Sequence, residues 1–72
     1  MKRQHIVTPR LALRTISAIT NYVHEALDRL QSDKVAIYMP NLSDGVLDKL
    51  HYYFITVERE SFGYVQFGRI DT

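Results

Sequence analysis

The sequence contains no cysteine and no tryptophan. Without cysteine, neither a disulfide framework nor a thiolate metal site can stabilise the fold. No apolar run is long enough to span a bilayer. The basic residues near the N-terminus are not followed by the apolar stretch of a signal peptide. These absences predict a soluble, cytoplasmic protein with no membrane contact.

The motifs of catalysis and cofactor binding are also missing. The three glycines are scattered, so the sequence has no phosphate-cradling loop, and no serine stands in a Gly-x-Ser-x-Gly turn. Asp44, Asp48 and His51 would share one face of a helix, where they are a candidate metal or acid–base set. The helix macrodipole by itself favours acids in a first turn, which is the simpler interpretation. We expect no enzyme, no metal site, no cofactor and no small-molecule substrate.

The chain has only 72 residues, and a chain of this size buries only about 60% of its unfolded surface. Its stability is therefore marginal, and association with a second copy or a partner would raise it. The sequence contains no internal repeat, low-complexity tract or linker. We predict one domain over residues 1–72, in which residues 1–8 are either a flexible basic arm or a short edge strand.

A net charge of +1 conceals an uneven distribution. Lys2, Arg3, Arg10 and Arg14 all lie within residues 1–24, which contain no acid. One interpretation is a basic arm that attracts phosphate or an acidic protein. The other is solubilising charge at a frayed N-terminus.

Apolar residues recur at helical spacing through the first half of the chain. The stripe consists of Leu13, Ile16, Ile19, Tyr22, Val23, Ala26, Leu27 and Leu30. Pro9 suits the first turn of a helix, and Thr8 before it is a plausible N-cap. The sequence predicts a helix from Pro9 to Gln31, preceded by a short strand at His5-Ile6-Val7.

The second half predicts a strand, a short helix and two further strands. Val35 to Met39 is the first strand, and Ser43 caps a helix over 43–52. The helical stripe continues toward Glu60, yet Tyr52 to Val57 are all β-branched or aromatic, which favours a strand over 53–59. The last strand is expected from Phe62 to Ile70.

This element order, (β)αβαββ, predicts an α+β fold built as a two-layer α/β sandwich with a long N-terminal helix. Strand 35–39, helix 43–52 and strand 53–59 form a crossover unit, whose strands run parallel. The last strand is antiparallel to 53–59 and fits between the two parallel strands. Both helices then cover one face of the sheet and leave the other open, as in ferredoxin-like folds.

Two segments resemble the RNA-recognition motif (RRM). Ile37-Tyr38-Met39-Pro40-Asn41-Leu42 is similar to the family's first-strand signature: an aliphatic, an aromatic, an aliphatic, any residue, then Asn-Leu. Phe62-Gly63-Tyr64-Val65-Gln66-Phe67 is similar to its third-strand signature from the first aromatic onward. Glu60 stands where the family has a cation. The resemblance covers residues 35–68 and lacks the family's C-terminal helix and fourth strand, for which the first helix and residues 4–8 are candidate replacements.

The resemblance implies binding of single-stranded nucleic acid, RNA in particular. Tyr38, Phe62 and Tyr64 would stack on bases from one face of the sheet. The basic residues expected to contact phosphate are Lys2, Arg3, Arg10 and Arg69.

The same aromatic face allows a second hypothesis. Exposed tyrosine and phenylalanine are typical of protein-binding hot spots, and an open sheet edge favours dimerisation by strand addition. The alternative function is a protein–protein interaction module, a dimeric stoichiometric inhibitor or regulator of the anti-defence or antitoxin type. A third interpretation places the aromatic residues in the core of a small sheet.

Overall fold

The computed structural model describes residues 5–69, which form four strands and two α-helices. The elements are β1 (Ile6–Val7), α1 (Ile16–Leu30), β2 (Lys34–Tyr38), α2 (Asp44–Leu50), β3 (Thr56–Arg59) and β4 (Tyr64–Gly68). A 3-10 turn, Ser61–Gly63, immediately precedes β4. The described chain is therefore a small α+β domain, the class that the sequence predicts.

The four strands form one sheet in the order β1-β2-β4-β3. The edge strand β1 runs parallel to β2, whereas β4 is antiparallel to both of its neighbours. Because β4 separates β2 from β3, these two strands run in the same direction. Val65 of β4 lies opposite Ile37 of β2 and Arg59 of β3, which fixes the register.

Helix α1 is much shorter than the predicted helix from Pro9 to Gln31. It begins at Ile16 because Thr15, not Thr8, is the N-cap: its hydroxyl accepts a hydrogen bond from the Ala18 amide at 3.0 Å. At the other end, Gln31 adopts a left-handed conformation (φ 50°). The Ser32 amide then donates to the Leu27 carbonyl, as in a Schellman motif.

Residues 9–14 thus lie outside the helix and form an irregular segment. Leu11 within it is 80% exposed. The apolar stripe of the helix is regular only from Ile16 onward, where Ile19 and Val23 become fully buried. Leu13 packs against the core from outside the helix, and the cap at Thr15 marks where the helix begins.

The connection between α2 and β3 also differs from the prediction. Ser43 caps α2 as expected, by accepting a hydrogen bond from the Val46 amide, but the helix ends at Leu50 and β3 begins only at Thr56. Residues 51–53 form a turn between them. Phe54 explains this geometry, because the chain must turn to place its ring in the core, where it is 1% exposed.

The core lies between the helices and one face of the sheet. Alternate strand residues supply that face: Val35, Ile37, Val57, Val65 and Phe67. Helix α1 contributes Ile19, Val23 and Leu27, and Leu50 of α2 packs into the same cluster. Both helices therefore cover the same face of the sheet, and the opposite face is left without a helix.

The rings of Phe54 and Phe67 meet edge to face within this core, with centroids 5.2 Å apart. Two of the aromatic residues considered for the core are therefore buried there. Three others, Tyr52, Tyr53 and Phe62, are exposed. Between residues 5 and 69, no helix combines the length and apolar character that crossing a membrane requires.

Candidate functional site

Tyr38 and Tyr64 form a cross-strand pair on the face of the sheet away from the helices. The two residues lie directly opposite each other in the β2–β4 ladder. Their rings are 5.2 Å apart between centroids and tilted by 59°. Tyr38 is 39% exposed and Tyr64 is half-buried. The structure brings these two predicted site residues together, as the alternation of the strands requires.

Phe62 lies just outside this pair, but not on a strand. The predicted strand from Phe62 to Ile70 is wrong at its start, since β4 begins at Tyr64, and Ile70 lies outside the described residues. Phe62 occupies the 3-10 turn in a left-handed conformation (φ 65°, ψ 25°) and is 91% exposed. A phenylalanine in this region is strained, because its Cβ crowds the following carbonyl oxygen.

Gly63 explains how the turn fits against the tyrosine pair. Its φ is +87°, and a Cβ at this position would lie 3.1 Å from both the Pro40 Cβ and the Tyr38 Cε1. The Met39 amide also donates to the Gly63 carbonyl at 3.0 Å. A side chain at this position would be strained by the positive φ and would crowd the end of β2, whereas glycine fits without either cost. We call Tyr38, Phe62 and Tyr64 the aromatic surface.

The four basic residues predicted for phosphate contact are placed differently from one another. Lys2 and Arg3 lie outside the described residues. Arg69 follows the far end of β4, about 16 Å along the chain direction from Tyr64, and its guanidinium pairs with the Asp28 carboxylate at 3.0 Å. Arg10 lines the same groove as Tyr38.

This groove has a volume of about 430 Å³. One wall is the irregular segment 9–14, and the other is segment 38–43, which runs from the end of β2 to the N-cap of α2, together with Val46 of α2. Arg10 and Arg14 both line it. The groove was not predicted from the sequence, because residues 9–14 were placed in a helix. The available signal was Thr15, an N-cap residue type directly before the regular part of the apolar stripe.

Arg59 holds one wall of this groove in place. Its Nη2 donates to the Leu42 carbonyl at 2.7 Å and to the Asp44 carboxylate at 2.6 Å. These bonds connect the β2–α2 segment to the end of β3. Asp44 is therefore engaged in a structural ion pair.

The candidate metal set of Asp44, Asp48 and His51 is not assembled as a site. Asp44 pairs with Arg59, and His51 lies at the C-cap of α2 beyond its last helical residue. In the described part of the chain, no group of three or more histidine, cysteine, aspartate or glutamate side chains is arranged to hold a metal ion.

Acidic residues border the aromatic surface on the β3 side. Glu58 lies opposite Gln66 in the register, on the same sheet face as Tyr64. Glu60 follows β3, and its amide donates to the Tyr64 carbonyl at 2.7 Å. The aromatic surface therefore has carboxylates on its β3 side, and its Tyr38 lines a groove together with Arg10 and Arg14.

The chain was compared with protein-family models, with curated proteins and with solved structures, and none of the three comparisons found a match.

Proposed function

We propose that this protein binds single-stranded nucleic acid by stacking bases on the aromatic surface. The observation that carries the proposal is the Tyr38–Tyr64 pair, two adjacent rings on the sheet face that the helices leave uncovered. The nearly fully exposed Phe62 extends this pair at the start of β4. Aromatic rings on an open sheet are a common platform for unpaired bases, and each stacked base contributes about 1–3 kcal/mol.

The strain at Phe62 supports the same function. A turn at a left-handed position normally carries glycine or asparagine, whereas this turn carries a large apolar ring that buries almost none of its surface. Such a residue lowers stability without any packing gain. Strained and exposed residues of this kind concentrate at functional sites.

We further propose an RRM-like arrangement for residues 34–68 alone. The elements β2, α2, β3 and β4 follow one another with β4 in the middle, which is the strand placement that the resemblance implies. In a ferredoxin-like sheet, the outer strand beside β2 would follow a crossover from β4 and would therefore be antiparallel to β2. Here β1 is parallel to β2, so the likeness does not extend to the N-terminal strand.

The test is a titration of short fluorescein-labelled oligo(U) and oligo(dT), followed by fluorescence anisotropy at low and moderate salt. The variant replaces Tyr38, Phe62 and Tyr64 by alanine. The matched control is Tyr52→Ala, which removes an aromatic side chain that is 84% exposed and lies outside the aromatic surface. Far-UV circular dichroism confirms that both variants are folded.

We expect the wild-type protein and the Tyr52→Ala control to bind with similar affinity. Each lost stacking partner should lower affinity by about 5- to 150-fold, so the triple variant should show no measurable binding. Absence of wild-type binding to both oligonucleotides at low salt would reject the proposal.

A protein-interaction module is the second candidate, because a separate apolar area is exposed. Tyr52 and Ile55 are 84% and 67% exposed, and Tyr53 beside them is 46% exposed. These residues lie in the α2–β3 connection, away from the tyrosine pair. Dimerisation through this area predicts a concentration-dependent sedimentation coefficient that Tyr52→Ser with Ile55→Ser abolishes. A monomer at every concentration, for the wild type as well, rejects the dimer.

A further inference from the structure

The groove beside Tyr38 has the size and shape of a ligand site. Its volume of about 430 Å³ falls in the range of small-ligand clefts, about 300–1,000 Å³. Its two walls are loops that leave the same end of the sheet: segment 9–14 follows β1, and segment 38–43 leads from β2 to α2. Connections of this kind carry binding residues in many folds, because the strands below hold them in position.

The positive charge of the groove favours binding of an anion. Arg10 and Arg14 line it, and none of its lining residues within 5–69 is acidic. Both arginines are exposed, and neither forms an ion pair with any residue between 5 and 69. The carboxylate of Asp44, which follows the lining residue Ser43, pairs with Arg59 at 2.6 Å. Two such guanidinium groups favour phosphate, which arginine binds through parallel N–H donors.

Tyr38 connects the groove to the aromatic surface, since it lines the one and belongs to the other. On the opposite side of the tyrosine pair, Glu58 and Glu60 would repel a phosphate backbone. A strand whose bases stack on Tyr64 and Tyr38 thus meets like charge on the β3 side and two arginines on the groove side, while Lys34 lies four residues back along β2 on the same face. We propose that the groove holds the backbone phosphates of the nucleotides that continue from Tyr38 toward segment 9–14. This inference rests on the proposed function and adds the path of the strand.

The test compares the salt dependence of oligonucleotide binding in two double variants. Arg10→Gln with Arg14→Gln removes both cations from the groove. The control is Arg29→Gln with Lys49→Gln, which changes the net charge by the same amount at exposed positions on α1 and α2 that do not line the groove. The probes are the same labelled oligo(U) and oligo(dT), titrated between about 50 and 200 mM salt.

For single-stranded nucleic acid, the slope of log K against log salt concentration is about −0.7 for each phosphate contact. Loss of two contacts should make the slope less steep by about 1.4. Over that fourfold range of salt, the wild type and the control should therefore lose about sevenfold more affinity than the Arg10→Gln, Arg14→Gln variant.

The possible results separate this inference from the proposed function. A salt slope for Arg10→Gln with Arg14→Gln equal to that of the control overturns the groove assignment, while the stacking function stands if the aromatic triple variant still abolishes binding. No wild-type binding to either probe at low salt overturns both. Binding of a polyglutamate chain in the groove, with no binding of the oligonucleotides, also overturns both, because the partner would then be an acidic protein.

Discussion

Replacement of Phe62 by asparagine should make the protein more stable and, at the same time, weaken nucleic-acid binding. The residue holds a left-handed backbone conformation (φ 65°) and is 91% exposed. That conformation costs a residue with an ordinary side chain about 1–2 kcal/mol, whereas asparagine tolerates it. Because the ring buries almost nothing, its removal sacrifices no packing.

The net gain should be about 0.5–1 kcal/mol in the free energy of unfolding. For a domain of this size, 1 kcal/mol corresponds to about 4–8 °C in Tm, so we expect an increase of about 2–8 °C. Phe62→Ala is the matched control, since it removes the same ring but keeps the strain of a Cβ. Its stability should stay within about 0.5 kcal/mol of the wild type. In the anisotropy titration, both variants should lose about 5- to 150-fold in affinity for oligo(U).

The assay is thermal unfolding by circular dichroism together with urea denaturation, which gives the free energy independently. Equal Tm values for the asparagine and alanine variants would refute the assignment of strain to Phe62. A loss of several kcal/mol in Phe62→Ala would mean that the ring packs against the protein in solution, and the aromatic surface would then be wrong at this position.

Three further predictions concern the backbone that positions the site, and urea denaturation measures each of them. Gly63→Ala should destabilise the fold by about 1–3 kcal/mol, because a Cβ would meet two side-chain atoms at 3.1 Å and the φ is +87°; an unchanged midpoint would contradict this geometry. Thr15→Ala should lower the free energy of unfolding by about 1 kcal/mol through loss of the N-cap, while Thr8→Ala should lower it much less. A larger loss for Thr8→Ala would show that the helix begins after Thr8. Gln31→Gly should stabilise α1 by up to about 1 kcal/mol, since glycine favours the left-handed position at this helix end; a clear destabilisation would refute the assigned cap.

Local sequence patterns located most helices and strands, because helix caps and strand alternation depend on residues close together in the chain. Ser43 was identified as the cap of α2 from its residue type alone. Ile37 and Met39 lie in the core and Tyr38 lies on the outer side, as the alternation of residues along a strand requires. Burial imposes a period of two on a strand that has one covered face, so this alternation can be read from the sequence.

The errors occurred where two local preferences competed. Pro9 and Thr15 each mark a plausible helix start, and the choice depends on whether the intervening residues find a core to pack against. Tyr52 to Val57 have strand-forming residue types throughout, yet Phe54 turns inward and delays β3 to Thr56. The β-strand propensity of a segment does not determine which of its aromatic residues will be buried in the core.

Some features of the candidate site were likewise predicted from the sequence, and others were not. The spacing of Tyr38 and Tyr64 within two alternating strands predicted that both would lie on the outer face of the sheet. Their pairing depends on the antiparallel β2–β4 register, in which the two residues stand opposite each other. Arg10 and Arg69 were equivalent as basic residues in the sequence, but the fold places Arg10 in the groove and pairs Arg69 with Asp28.

Residue types and their spacing were enough to determine the class of fold, the inward and outward faces of the strands and the aromatic character of the exposed face, because each follows from side-chain chemistry repeated at a fixed interval. Three features needed the folded chain: the strained turn at Phe62, the groove between segments 9–14 and 38–43, and the choice of the cations that line this groove with Tyr38. These features arise where segments distant in the sequence meet. Their geometry is set by packing across the sheet and not by any residue's own preference.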